Sequence, residues 1–224
     1  MFIEKISIGF MAILAMLTSI TTSADGGELE HQLRSAAEQG KTQEIRLLLE
    51  QGADMESRNK MGRTPLLIAT RHNQIAAARL LIEAGANVNA RDAIQDSPYL
   101  YAGASGYNEI LAMTLSRGAD LGSTNRYGGT ALIPAAERGH VETVRLLIAA
   151  GVDVDHVNRL HWTALLEAII LGNGGAQHTD IVQLLVDAGA DVNIGDAEGI
   201  SPLRHARERG YADIVQILTA AVAP

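Results

Sequence analysis

The chain has 224 residues, a formal net charge of −8 and no cysteine. That balance excludes a nucleic-acid groove, which works through a Lys/Arg stripe that displaces counterions, and adsorption to anionic lipid. Without cysteine there is no disulfide framework and no site for lipoprotein acylation, so packing alone must hold the fold.

The first segment reads as an address rather than as structure. Met1 to Lys5 carries one Lys and one Glu, Ile6 to Leu17 is a mainly apolar run of 12 residues, and Thr22-Ser23-Ala24 is a small-x-small site. This is the layout of a secretory signal peptide cut after Ala24, in a bacterial protein that is periplasmic or secreted. The alternative is an uncleaved anchor that makes the chain a membrane-tethered spacer, although a membrane-crossing helix needs about 20 apolar residues. Residues 25–224 are then one domain.

That domain is periodic. Gly-(Ala/Val)-(Asp/Asn) recurs at Gly52, Gly85, Gly118, Gly151 and Gly189, at intervals of 33, 33, 33 and 38 residues. A second series keeps step with it: Thr64-Pro65, Ser97-Pro98, Thr130-Ala131, Thr163-Ala164 and Ser201-Pro202. A fixed period of this length marks an array of one supersecondary unit. Thr or Ser followed by Pro or Ala opens a helix in each unit. Small residues follow at Ala69, Ala102, Ala135, Ala168 and Ala206, where neighbouring helices come close. The helix stops at Gly40, Asn73, Gly106, Gly139, Gly172 or Gly210, residues that tolerate a left-handed C-cap. A second helix carries an apolar stripe, as at Val144, Leu147 and Ile148, and ends at the Gly-Ala-Asp signature. An extended, hairpin-like finger leads to the next unit, over an apolar column of Met55, Val88, Leu121, Val154 and Val192.

These columns resemble the ankyrin repeat motif, roughly Gly-x-Thr-Pro-Leu-His-x-Ala-Ala, Gly-His and Leu-Leu-x-x-Gly-Ala-Asp. The resemblance implies an all-α repeat solenoid of six helix-turn-helix units with β-hairpin-like fingers. The units cover approximately residues 28–58, 59–91, 92–124, 125–157, 158–195 and 196–221. The first and last are atypical, as caps are, which favours a complete domain and a monomer. The motif's His is replaced by Leu67, Leu100, Ile133, Leu166 and Arg204, so apolar packing substitutes for its hydrogen bonds in four units. The turn Gly of Gly62, Gly128 and Gly199 becomes Gln95 and His161, which strains or reshapes the turn. Irregularity is expected in repeats three to five. The insertion Asn173 to Gln177 breaks the period and reads as a tolerated surface loop, since no Lys-Ser/Thr follows to make a phosphate cradle.

Chemistry is sparse. His140 and His178 fall in the Gly-His column, where their role is structural. His156 and His161, with Asp153 and Asp155 nearby, are the one candidate metal or enzymatic site, and the weakest reading of the chain. Asp191 and Asp196 recur with the repeat as turn residues. No enzyme activity, catalytic residue or cofactor is expected.

The resemblance implies a concave face formed by finger tips and first helices. The tips are Met61, Ile94, Tyr127, Leu160 and Glu198, with Trp162, the only Trp, beside Leu160. The helix positions run Arg71-His72, Ala104-Ser105, Glu137-Arg138, Ile170-Leu171 and Glu208-Arg209. An apolar strip with aromatic anchors has the make-up of a protein-binding hot spot. The expected binding residues are Met61, Arg71, His72, Ile94, Tyr127, Glu137, Arg138, Leu160, Trp162, Ile170 and Leu171. The partner is expected to be an unidentified protein, an exported enzyme or a host protein, and neither nucleic acid nor membrane.

Overall fold

The computed structural model describes residues 26–222, so the leader expected over residues 1–24 lies outside it. Twelve α-helices occur among the described residues, in six consecutive pairs. They are α1 (Gly26–Gln39) and α2 (Thr42–Glu50), α3 (Pro65–Arg71) and α4 (Ile75–Glu83), α5 (Pro98–Ser105) and α6 (Asn108–Ser116). The remaining pairs are α7 (Leu132–Glu137) and α8 (Val141–Ala149), α9 (Ala164–Ile170) and α10 (Ala176–Asp187), α11 (Pro202–Arg209) and α12 (Ala212–Val222). Odd-numbered helices stack on one another in one layer and even-numbered helices in a second. The core lies between the layers. Ala69, Ala102, Ala135, Ala168 and Ala206 are all 0% exposed, which is why that column carries no larger side chain. Leu67, Leu100, Ile133 and Leu166 are buried in place of the motif's His, each worth about 1.5–3 kcal/mol of apolar burial.

The helix starts follow the Thr/Ser column in four of five units. Thr64, Ser97, Thr163 and Ser201 accept hydrogen bonds from the N–H groups of Leu67, Leu100, Leu166 and Arg204. Thr130 departs from the expectation. Its hydroxyl is buried without a partner, and α7 begins behind Ala131 with no side-chain cap. The cause is Pro134. In the other units the cap carbonyl accepts from Ile68, Tyr101, Glu167 or His205, and proline has no N–H to donate there.

Most helix stops are as expected: Gly40, Asn73, Gly106, Gly139 and Gly210 have φ between +50° and +73°. Gly172 is the exception. It is not left-handed, and the positive φ of this loop (+67°) falls on Gly174 instead. Gly172 is required for space, because a Cβ would overlap the Ala168 carbonyl oxygen and the His178 ring. The insertion is only partly loop. Ala176 and Gln177 join α10, which has 12 residues where α4, α6 and α8 have nine. Tyr211 then closes over the loop, donating its hydroxyl to the Gly172 carbonyl at 3.0 Å.

The fingers contain no β-strand among the described residues, and each is a hairpin-like loop closed by turn hydrogen bonds. One column builds them: Asn59, Asp92, Asn125, Asn158 and Asp196 each accept from the backbone N–H groups two and four residues on. This is Asx-turn chemistry, favoured by short polar side chains. Gln95 and His161 keep the shape of the glycine turn, at φ +69° and +61°.

Neighbouring units are tied through the same region. Glu56 accepts from the Asn87 N–H at 2.7 Å, Asn89 from Asp120 at 2.9 Å and Asp155 from Asp191 at 2.8 Å. Gly122 holds the corresponding place before Asp153 and has no side chain to offer. Finger amides also bond across: Ala93 to the Met61 carbonyl at 2.9 Å and Arg159 to that of Tyr127 at 3.0 Å. The corresponding bond from Arg126 to Ile94 is absent among the described residues. Repeats three and four are joined instead on their helical side, where Thr143 donates to Asn108 at 2.6 Å.

Candidate functional site

Between the finger tips and the first helices of repeats two to five lies an open groove of about 640 Å³. Stacking of units at a constant offset creates it, because equivalent positions fall side by side. Tyr127, Leu160 and Leu171 line it while 53%, 51% and 51% exposed, and Ile94 lies half-buried beside them. No core covers these side chains.

The cations of the groove are engaged within the protein. Arg71 pairs with Asp96 at 3.3 Å and stacks on the Tyr101 ring at 4.4 Å. Arg126 lies over the Tyr127 ring at 4.6 Å and donates to its hydroxyl at 3.1 Å. Arg138 donates to the Ala104 carbonyl. Burial and then the charge of Asp92 push the Asp96 carboxyl above its ordinary value, against the pull of Arg71, Arg126 and Arg63.

The acids are differently placed. Glu167 is 5% exposed, yet it contributes to the groove lining together with Glu137. Its Oε1 accepts from Asn158 Nδ2 at 3.0 Å. Burial first, and the neighbouring Glu137 charge second, push its pKa up to about 7, with the Asn158 bond opposing. A carboxyl removed from water and set beside another acid resists ionisation.

Of the residues expected from sequence, the structure brings together Arg71, Ile94, Tyr127, Glu137, Arg138, Leu160 and Leu171 in the groove lining. Four lie elsewhere. Met61 is 45% exposed, on a finger further along the array. His72 is exposed, 3.4 Å from Glu38. Trp162 is half-buried on the return limb of its finger, where its carbonyl accepts from Asn158. Ile170 is half-buried, its carbonyl 3.4 Å from Arg209. Sequence reasoning missed Tyr101, Asp96, Asn158 and Glu167. The signal for Glu167 was a lone charge inside the otherwise apolar run Ala164 to Ile170.

The atoms of the candidate metal site are pulled apart. His156 Nε2 is 2.7 Å from the Gly128 carbonyl oxygen and so donates to it. Asp155 holds the Asp191 amide. His161 is exposed, held by its left-handed backbone. Among the described residues no three His, Asp or Glu side chains converge to hold a metal ion.

Comparison with known proteins agrees with the architecture. The family profile of ankyrin repeats, in three copies, matches residues 23–92 and 99–196. A solved ankyrin repeat domain from Acinetobacter baumannii AYE is 62% identical, with a TM-score of 0.85, covering 87% of this chain and 100% of that one. The ankyrin repeat domain of Bcl-3, a member of the IκB family, is 30% identical with a TM-score of 0.76, over 86% of each chain. The putative ankyrin repeat protein YahD of Escherichia coli K12 is 49% identical over 55 residues, which is 25% of this chain and 27% of that protein. With a family profile over most of the chain and a solved relative at this identity, the chain belongs to the ankyrin repeat family.

Proposed function

We propose that the chain is a non-enzymatic scaffold that holds a protein partner against its concave face, in the envelope or surroundings of a bacterial cell. Ankyrin repeat domains generally mediate protein–protein interaction, so binding of a protein is the coarse part of this reading. The finer part rests on one observation: Tyr127, Leu160 and Leu171 are about half exposed along a single groove. Large apolar side chains gathered on one concave strip gain by being covered, and aromatic anchors in such strips dominate binding energy. Export rests on the sequence of residues 1–24, with release after Ala24.

Affinity capture from the extracellular and periplasmic fractions of a producing cell tests the site. Wild type is compared with Tyr127→Ala/Leu160→Ala. Both substituted side chains are exposed, so circular dichroism and thermal melting should match between the baits. A partner held by wild type and lost at least about ten-fold by the double variant is the expected result. Equal capture overturns the groove as the binding face. The N-terminal mass of the accumulated protein tests export: a start at Asp25 is expected, and a retained Met1 supports the tethered spacer.

A further inference from the structure

We propose that the groove receives a basic side chain from an extended segment of the partner, with Glu167 and Glu137 as its counter-charge and Tyr127, Leu160 and Leu171 as the walls around its stem. The inference rests on the concave-face reading and adds the chemistry of what enters. Three observations carry it. Each arginine that lines the groove already has an internal use: Arg71 on Asp96 and Tyr101, Arg126 on Tyr127, Arg138 on a carbonyl. Neither Glu137 nor Glu167 has a cation within ion-pair distance among the described residues. Glu167, at 5% exposure, uses one oxygen on Asn158, and no donor among the described residues meets the other.

A buried carboxyl held beside a like charge is costly in the empty protein. An incoming ammonium or guanidinium removes that cost by favouring the ionised form. A basic side chain also carries an apolar stem, which suits the half-exposed Tyr127, Leu160 and Leu171.

The test is a nitrogen-15 NMR titration of the protein as it accumulates in cells expressing the full sequence. The probes are the acetylated, amidated peptide Ala-Leu-Arg-Leu-Ala and its twin with norleucine in place of arginine. The arginine peptide should move the Asn158 side-chain amide and the backbone amides of Leu160 and Leu171. The norleucine twin should bind at least about ten-fold more weakly, as expected when a charge-assisted hydrogen bond is lost. Glu167→Gln, which keeps the shape and the Asn158 bond, should remove that preference, and Glu137→Gln should reduce it. Equal binding of the two peptides, or a preference that survives Glu167→Gln, overturns the inference. So does the absence of shifts with either peptide at about 5 mM, the range of weak single-anchor binding. Partner capture that depends on Tyr127 and Leu160 while both peptides behave alike would sink the cation and leave the scaffold standing. Capture indifferent to those residues would sink both.

Discussion

His161 and Gln95 show how a single position departs from its family without changing the fold. Both sit where the turn needs a left-handed backbone, at φ +61° and +69°, and Gly62, Gly128 and Gly199 fill the same place at +74° to +76°. A side chain in this region costs about 1–2 kcal/mol. His161→Gly should therefore stabilise the protein by about 0.5–1 kcal/mol in urea denaturation, after the entropy that glycine adds to the unfolded chain. Gln95→Gly should gain less, since Gln95 accepts from Arg91 at 3.2 Å. A loss on His161→Gly would mean that the imidazole has a partner of its own. Glu167 gives a pH signature. Its folded pKa, about 7, lies above the ordinary value of 4.5, so the folded state favours the neutral acid. The stability this provides is present below about pH 4.5 and is lost as pH rises through about 7. Glu167→Gln should thus gain on wild type between those limits, by at most ~1.4 kcal/mol per pH unit, and stay level above them. Urea unfolding of both proteins at several pH values reads this directly, and a constant difference would deny the raised pKa.

At the scale of the element, the helices were legible because each unit repeats its punctuation. Thr-Pro or Ser-Pro, the small residue and the stop glycine recur in register, so five noisy readings corroborate one another. What escaped was set by neighbours in space. Pro134 looks compatible with a first turn, but its missing N–H strips the Thr130 carbonyl and loosens the cap. Gly172 looks like one more C-cap, yet its role is clearance beneath Ala168 and His178. Glu167 went unread, because its burial depends on the adjacent finger, whose Asn158 donates to it. The finger tips were readable as exposed, whereas Trp162, one turn limb away, was expected in the binding strip and lies half-buried outside the groove lining. Gly172→Ala is the sharp test for the insertion. It should cost about 2–3 kcal/mol through overpacking, measured by thermal melting, although alanine is the better helix former. A neutral result would show that the loop has room to shift.

Taken as a whole molecule, the protein is close to a one-dimensional object in which each unit touches only its neighbours. Its stability is then a sum of unit and junction contributions. Those junctions are unequal. Repeats three and four lack both the side-chain tie, because Gly122 has none to give, and the amide bond between fingers. Gly122→Asn should restore the tie to the Asp153 amide. The position has open space, with Asp120 the nearest neighbour at 3.7 Å from a built Cβ. A gain of about 0.5–1.5 kcal/mol in denaturant unfolding is expected, and no gain would mean that the junction is already saturated.

The groove straddles this same joint, with Ile94 on one side and Tyr127 on the other. Neither of those two finger bonds joins the two blocks of three units there, so the fingers are the edge along which the seam is expected to part first. Amide exchange should be fastest in the fingers on either side of it. An occupant bridging Ile94 and Tyr127 would act as a clasp across the seam. Exchange slowing at Arg126 and Asp153, far from either chain end, would then report occupancy of the groove before any partner had been named.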